Sequence, residues 1–236
     1  MFSGAIQRRR SQKVEGESPF WISFSDLMTA LMVLFMVVMA VTLISVTRDV
    51  DDIEQRRIQR EEEIRQLMAL IKERSRPFRA VKVNEAAHRI DLGDIVRFDS
   101  GRSDIVPLAG RFLRGYVPTL LSVQASPLGQ EWIRRIVVEG FTDQDGTYLY
   151  NLGLSLRRSE RVVCTLLAEP FSDEKPLSDA QKRQIESLFL VGGYSFNSMR
   201  ASKEESRRVE LRIDFWSLDE TKDAASPPFG KETGRC

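Results

Sequence analysis

Asp26 is the residue best placed to do chemistry. It stands six residues into an apolar segment, 20–46, and directly before an uncharged run of apolar and small residues at 27–47 (LMTALMVLFMVVMAVTLISVT). A carboxylate inside a bilayer costs several kcal/mol, so an acid in such a place is a functional candidate by default. The chemistry open to it is the uptake and release of a cation as its surroundings alternate between wet and dry. Thr29, Ala30 and Val33 follow at offsets of three, four and seven, on the helix face that carries Asp26, and leave small or medium side chains where a partner could approach. Ser25 and Thr29 are the neighbours that could share an ion path, or could instead hydrogen-bond backbone carbonyls. An interfacial acid reaching back to the headgroups is the plainer alternative for Asp26.

No other cluster suggests a reaction. The two cysteines, Cys164 and Cys236, are too few for a disulfide framework and have no zinc-type spacing around them. Cys164 fits a helix face, and an intrachain or intersubunit disulfide stays open in an oxidising compartment. The single histidine, His88, reads as a strand-surface residue. Gly230-Lys231 lacks the upstream glycine of a phosphate loop, and a net charge of +1 gives no case for direct nucleic-acid binding. The expectation is a protein that is not an enzyme, holds no metal and needs no cofactor.

The elements that must position Asp26 begin with the segment 20–47. As a helix, residues 20–46 reach about 40 Å, enough to cross a tilted bilayer. Signal-peptide apolar cores are shorter, about 7 to 15 residues, and end at a small-residue cleavage site; here the run leads into Arg48 and a charged helix. Arg8, Arg9, Arg10 and Lys13 precede the span while the residues after it carry balanced charge. The N-terminus is therefore expected in the cytoplasm and the rest beyond the membrane, in the periplasm of a Gram-negative envelope.

Composition divides the chain into a cytoplasmic tail (1–19), a transmembrane helix (20–47), a linker helix (48–77), a compact domain (78–218) and a disordered tail (219–236). In the linker, Val46, Val50, Ile53, Arg57, Arg60, Ile64, Leu67 and Ile71 follow a 4-3-4-3 spacing, a heptad-like seam broken by two arginines. A solvated spacer helix is the reading favoured there, ending at Pro77. In the domain, residues 81–83 and 88–92 alternate as strands, and 95–98 lead into a turn at Asp99-Ser100-Gly101. A helix follows Pro107, then a strand at 133–141, helices at 152–168 and 180–190, and a strand at 209–215. Ser178 with Gln181 forms a capping box. The fold class expected is a single-pass membrane protein with an α+β sandwich domain.

Glu139-Gly140-Phe141-Thr142-Asp143, followed by Asn151, Leu154-Ser155, Arg157-Arg158 and Arg207-Arg208-Val209-Glu210, resembles the OmpA-like peptidoglycan-binding domain over most of residues 85–216. The resemblance implies that Asp143 and Arg158 hold the ammonium and carboxylate groups of diaminopimelate in a peptidoglycan stem peptide. It also implies that Thr142, Asn151 and Leu154 line the same pocket and that Phe98 and Asp99 form its first loop. An Arg can grip a carboxylate with two parallel hydrogen bonds. The alternative is that Asp143 caps the turn Asp143-Gln144-Asp145-Gly146 and pairs with Arg158. Phe141 stands where that family often has histidine or tyrosine, which puts pocket polarity in question.

Trp21-Ile22-Ser23-Phe24-Ser25-Asp26-Leu27-Met28-Thr29-Ala30-Leu31-Met32 resembles the B subunit of MotAB-type ion-driven motors, and within these the B-type subunits of Zorya anti-phage defence systems. The resemblance implies an inner-membrane rotary motor with two copies of this chain inside a pentamer of a MotA-like A subunit (5:2), embedded in membrane lipid and anchored to peptidoglycan. It implies Asp26 as the ion carrier. A lone carboxylate without an oxygen cage leans toward H⁺ rather than Na⁺. A flagellar stator B subunit and a passive wall anchor are the competing readings.

Overall fold

The computed structural model describes residues 19–170 and 174–220. The predicted cytoplasmic tail up to residue 18, most of the C-terminal tail and Cys236 lie outside the described residues. The chain divides into two units, residues 1–56 and 57–236.

Within the first unit the described residues are all helical, forming the N-terminal part of α1 (Pro19–Ser75). Among the described residues, α1 is the one helix long and apolar enough to cross a membrane. Its threonines fold back onto their own helix: Thr29, Thr42 and Thr47 each donate to carbonyls three and four residues earlier at 2.9–3.0 Å. That bond lets a hydroxyl sit among apolar side chains without an orphan donor.

The second unit is an α+β sandwich. After the end of α1 come β1 (Lys82–Asn84), β2 (Arg89–Asp91), a 3₁₀ turn (Gly93–Val96), α2 (Pro107–Gln124), α3 (Pro127–Trp132) and β3 (Ile133–Gly140). Then follow α4 (Tyr148–Leu167), α5 (Asp179–Leu188), β4 (Phe189–Gly193), α6 (Lys203–Ser206) and β5 (Val209–Phe215). The sheet order is β1-β2-β5-β3-β4, with β3 and β4 parallel and the other pairs antiparallel. A parallel pair needs a crossover, which α4 and α5 provide. Strand alternation sends Ile136, Val138, Leu211 and Ile213 into a core shared with Leu113, Tyr116 and Val117 of α2, Val162 and Leu166 of α4, and Ile185 of α5.

The linker expectation is corrected here. Ile64, Leu67, Met68 and Ile71 of α1 are buried in that same core, so the compact unit begins near residue 57 rather than 78. Apolar residues at 64, 67, 68 and 71 make a stripe wide enough to cover a sheet domain, not only a narrow coiled-coil seam. Polar contacts fix this part of the helix. Arg60 donates to the Trp216 carbonyl (2.9 and 2.7 Å), Trp132 Nε1 donates to Glu63 (2.5 Å), and the hydroxyls of Ser75 and Tyr116 pair at 2.9 Å. Burial pushes the Tyr116 phenol up to about 12.

Two smaller differences concern strand ends. The helix expected to run to residue 190 stops at Leu188, because Phe189–Gly193 pairs along β3. His88 lies just outside β2 in the left-handed region (φ 52°), its ring edge-on to Phe215 at 5.0 Å. The capping box of Ser178 and Gln181 is present.

Candidate functional site

In the membrane helix, Asp26 is exposed on the surface of the isolated chain. Thr29 Oγ1 donates to the carbonyls of Ser25 (3.0 Å) and of Asp26 itself (2.9 Å). The Thr29 proton is thus spent on the backbone, which leaves its hydroxyl able to accept but not to donate toward an ion path. Ser25 shares only a backbone carbonyl in this arrangement.

In the second unit the candidate residues converge where α4 passes over the ends of β3 and β4. Close approach is possible because those strands end in glycine. A Cβ on Gly140 would lie 2.0 Å from the Ser155 carbonyl oxygen, and one on Gly193 would lie 2.8 Å from Ser155 Oγ. Thr147 caps α4 by accepting from the Tyr150 amide, and the loop between β3 and α4 carries Thr142 and Asp143.

Arg158, fully buried on α4, spends three of its N–H groups on backbone. Nε donates to the Arg102 carbonyl (2.9 Å), Nη1 to Phe141 (2.8 Å) and Nη2 to Asp99 (3.0 Å), and the guanidinium lies 5.0 Å over the Phe98 ring. With five donors on a guanidinium, two remain. Burial lowers its pKa to about 10, with Asp143 acting in the opposite direction, so it stays charged at neutral pH.

Asp143 is buried too, but its ion-pair partner is Arg207. Oδ2 accepts from Arg207 Nη1 at 2.9 Å and Oδ1 from the Asp145 amide at 3.2 Å. The turn-capping role expected of Asp143 as an alternative is therefore present, whereas direct pairing with Arg158 is not. Arg207 also donates through Nε to the Phe98 carbonyl (3.0 Å) and through Nη2 to Glu204 (3.2 Å). Its hydrogen bond to Asp143 raises the Arg207 pKa further. Phe98 therefore meets both arginines, one through its ring and one through its carbonyl, while the Asp99 side chain is exposed and only its carbonyl takes part.

Two atoms beside this pair are left over. Thr142 Oγ1 and Asn151 Oδ1 are buried and have no hydrogen-bond partner among the described residues. The Thr142 amide donates to Ser195 O (2.9 Å), and Asn151 Nδ2 donates to Asp145 O (3.1 Å), an assignment that leaves Oδ1 as the acceptor. Each orphan costs about 1–3 kcal/mol, which a ligand supplying the missing groups would recover. Leu154, on the same helix α4 as Asn151 and Arg158, is buried as well.

The Phe141 ring packs on Tyr194 (5.3 Å) and under the Arg208 guanidinium (4.2 Å), and only its carbonyl reaches Arg158. Arg208 pairs with Glu210 (2.7 Å) in an ion network with Arg89, Arg200, Arg212 and Glu139. The aromatic residue at 141 thus belongs to that network rather than to the Asp143 cluster. Sequence reasoning assigned no role to Arg207, Arg102 or Ser195. Arg207 was visible in the Arg207-Arg208-Val209-Glu210 run, while residues such as Arg102 that contribute a carbonyl acceptor leave no trace in side-chain type.

A relative from Escherichia coli O139:H28 (strain E24377A / ETEC), the Zorya protein ZorB, is 43% identical over 226 residues, covering 95% of this chain and 92% of its own. The chain belongs to the ZorB family. It is thus a MotB-like subunit of Zorya defence, and this favours defence over the flagellar alternative. The family described as membrane MotB of the proton-channel complex MotA/MotB matches residues 6–48, which include Asp26. Among solved structures, a putative MotB-like protein from Desulfovibrio vulgaris is 19% identical with a TM-score of 0.43, covering 67% of this chain and 99% of that one. The cell wall anchor of the T6SS from Pseudomonas aeruginosa is 17% identical with a TM-score of 0.40, covering 64% and 97%.

Proposed function

We propose that this ZorB-family chain carries H⁺ on Asp26 within an inner-membrane rotary complex and holds that complex to peptidoglycan through the Asp143 cluster. The partners in this reading are a second copy of the chain and a pentamer of a MotA-like A subunit, in a 5:2 arrangement. The N-terminus faces the cytoplasm and the second unit the periplasm. The observation that carries the motor half is that Asp26 is the only charged side chain within residues 20–47. A membrane potential contributes about 2.3 kcal/mol per charge per 100 mV, a usable drive for each proton.

The wall half rests on the two orphan atoms beside the buried Asp143. A stem-peptide ammonium can donate to Asn151 Oδ1 and to the Asp143 carboxylate, and a ligand carboxylate can accept from Thr142 Oγ1 and the free N–H groups of Arg158. For the motor half, Asp26→Asn abolishes phage protection in a plating assay while the protein level in the membrane is unchanged; full protection would sink the ion-carrier role. For the wall half, the full chain in detergent is co-sedimented with purified peptidoglycan. Asp143→Asn releases it to the supernatant, and undiminished sedimentation would remove the anchor.

A further inference from the structure

Among the described residues no cysteine is free, and Cys164, in the last turn of α4, is disulfide-bonded. The chain holds one other cysteine, Cys236. Cys164 also lines a cavity of about 320 Å³ between the start of α2 and the end of α4, together with Ile105, Val106, Pro107, Gly110 and Ala168. Its wall is largely apolar, and apolar side chains there stand in solvent: Val106 is 54% exposed, and Leu108, two residues on in the first turn of α2, 65%. β3 ends at Gly140 against Ser155 of α4. The later turns of α4 therefore run back toward the start of that strand, as a crossover between the parallel β3 and β4 must. Glu220 stands at that same end, its carboxylate on Arg134 at 2.7 Å.

From Glu220, residues 221–235 lead to Cys236. A span of that length reaches about 50 Å, more than the about 40 Å diameter of a domain of this size, so it can arrive at Cys164 without disturbing the fold. The segment carries one large apolar side chain, Phe229, placed after Pro227-Pro228 and before Gly230. We infer that Cys164 and Cys236 form an intrachain disulfide that straps residues 221–235 across the groove between α2 and α4, with Phe229 seated against its apolar wall. One apolar contact is too little to hold a segment of this composition to a surface. The bond makes that contact intramolecular and keeps Phe229 near the groove. As it forms, two thiols give up two protons and two electrons, which the disulfide of a periplasmic thiol oxidoreductase accepts on becoming a dithiol. This rests on the periplasmic placement of the second unit proposed above, because such bonds persist in oxidising compartments and are rare in the cytosol.

The test takes the full chain in its own membranes, quenches it with acid, labels it with a maleimide before and after reduction, and digests it without reductant for mass spectrometry. The wild type should take label at neither cysteine before reduction and at both after it, and should yield a peptide pair joining positions 164 and 236. In detergent, Cys236→Ser should lower Tm by about 5–10 °C. Cys164→Ser should do the same and the double variant no more, because a single bond is lost in each. Phe229→Ser keeps the bond and should speed trypsin cleavage after Lys231 about tenfold; an unchanged rate would overturn the seating of the segment in the groove. Disulfide-linked dimers in place of the internal bond would overturn the inference. So would two free thiols in the wild type, and an impermeant maleimide applied to spheroplasts then separates the causes. Labelling from outside would leave the periplasmic placement standing and remove the strap, whereas no labelling would remove the placement as well.

Discussion

Replacing Arg158 by methionine should weaken the fold of the second unit more than its contact with any ligand. The substitution keeps most of the volume and removes the donors that reach three backbone carbonyls. The Asp99 carbonyl also receives the Arg102 amide at 3.1 Å and keeps one partner; the carbonyls of Phe141 and Arg102 take the larger loss. Hydrogen bonds from a charged donor contribute about 1.5–3 kcal/mol each, so two lost bonds come to about 3–6 kcal/mol. Burial of the guanidinium, the main cause of its pKa of about 10, is itself costly, and relieving it returns part of this. A net loss of about 3 kcal/mol is expected, or roughly 6–12 °C in Tm at 2–4 °C per kcal/mol for a unit of this size. Urea unfolding of the full chain in detergent, followed by tryptophan fluorescence, measures it, because Trp132 and Trp216 both sit in the second unit. Asp99→Ala, which removes an exposed side chain and leaves the carbonyl in place, should change stability by less than about 0.5 kcal/mol. An Arg158→Met chain within about 1 kcal/mol of the wild type would refute the view of Arg158 as a strut. Wall-binding losses in Arg158 variants would then have to come from direct ligand contact.

Other outcomes follow from the same packing. Leu67→Ala should cost about 2–5 kcal/mol in the same urea assay, while Ile58→Ala, at a position 60% exposed, should cost little; equal effects would return this stretch of α1 to a solvated spacer. Burial alone would raise the Glu210 pKa, but the hydrogen bonds and charges of Arg208, Arg200 and Arg89 more than offset it and hold the carboxyl below its usual range. A depressed carboxylate contributes stability above its unfolded pKa and loses it as pH falls through the folded value. Stability should therefore decline below about pH 4.5, and Glu210→Gln should flatten that decline; an unchanged slope would sink the assignment.

Legibility in the sequence tracked the range of the interactions involved. Periodicity placed β1, β2, β3, α2, α4, α5 and β5 to within a few residues, because each carries its own apolar rhythm. It failed at β4, whose Phe189–Gly193 run is too short to declare itself and is fixed only by pairing with β3. It also failed at α1, where Ile64, Leu67 and Ile71 fit a self-association seam as well as a core stripe, and only the sheet decides between them. At the candidate site the residue types were legible and the partners were not. Asp143 was singled out, yet the cation beside it comes from Arg207, 64 positions away, and Arg158 turns to carbonyls that no side-chain pattern reveals.

The most direct test of the ion-carrier claim is proton uptake by proteoliposomes holding this chain with its A-type partner, under an imposed membrane potential and read by a pH-sensitive dye inside the vesicles. The wild-type complex should acidify the lumen, and the complex with Asp26→Asn should leak no faster than empty liposomes while co-purifying in the same proportion. Uptake by the Asp26→Asn complex at the wild-type rate would contradict the account.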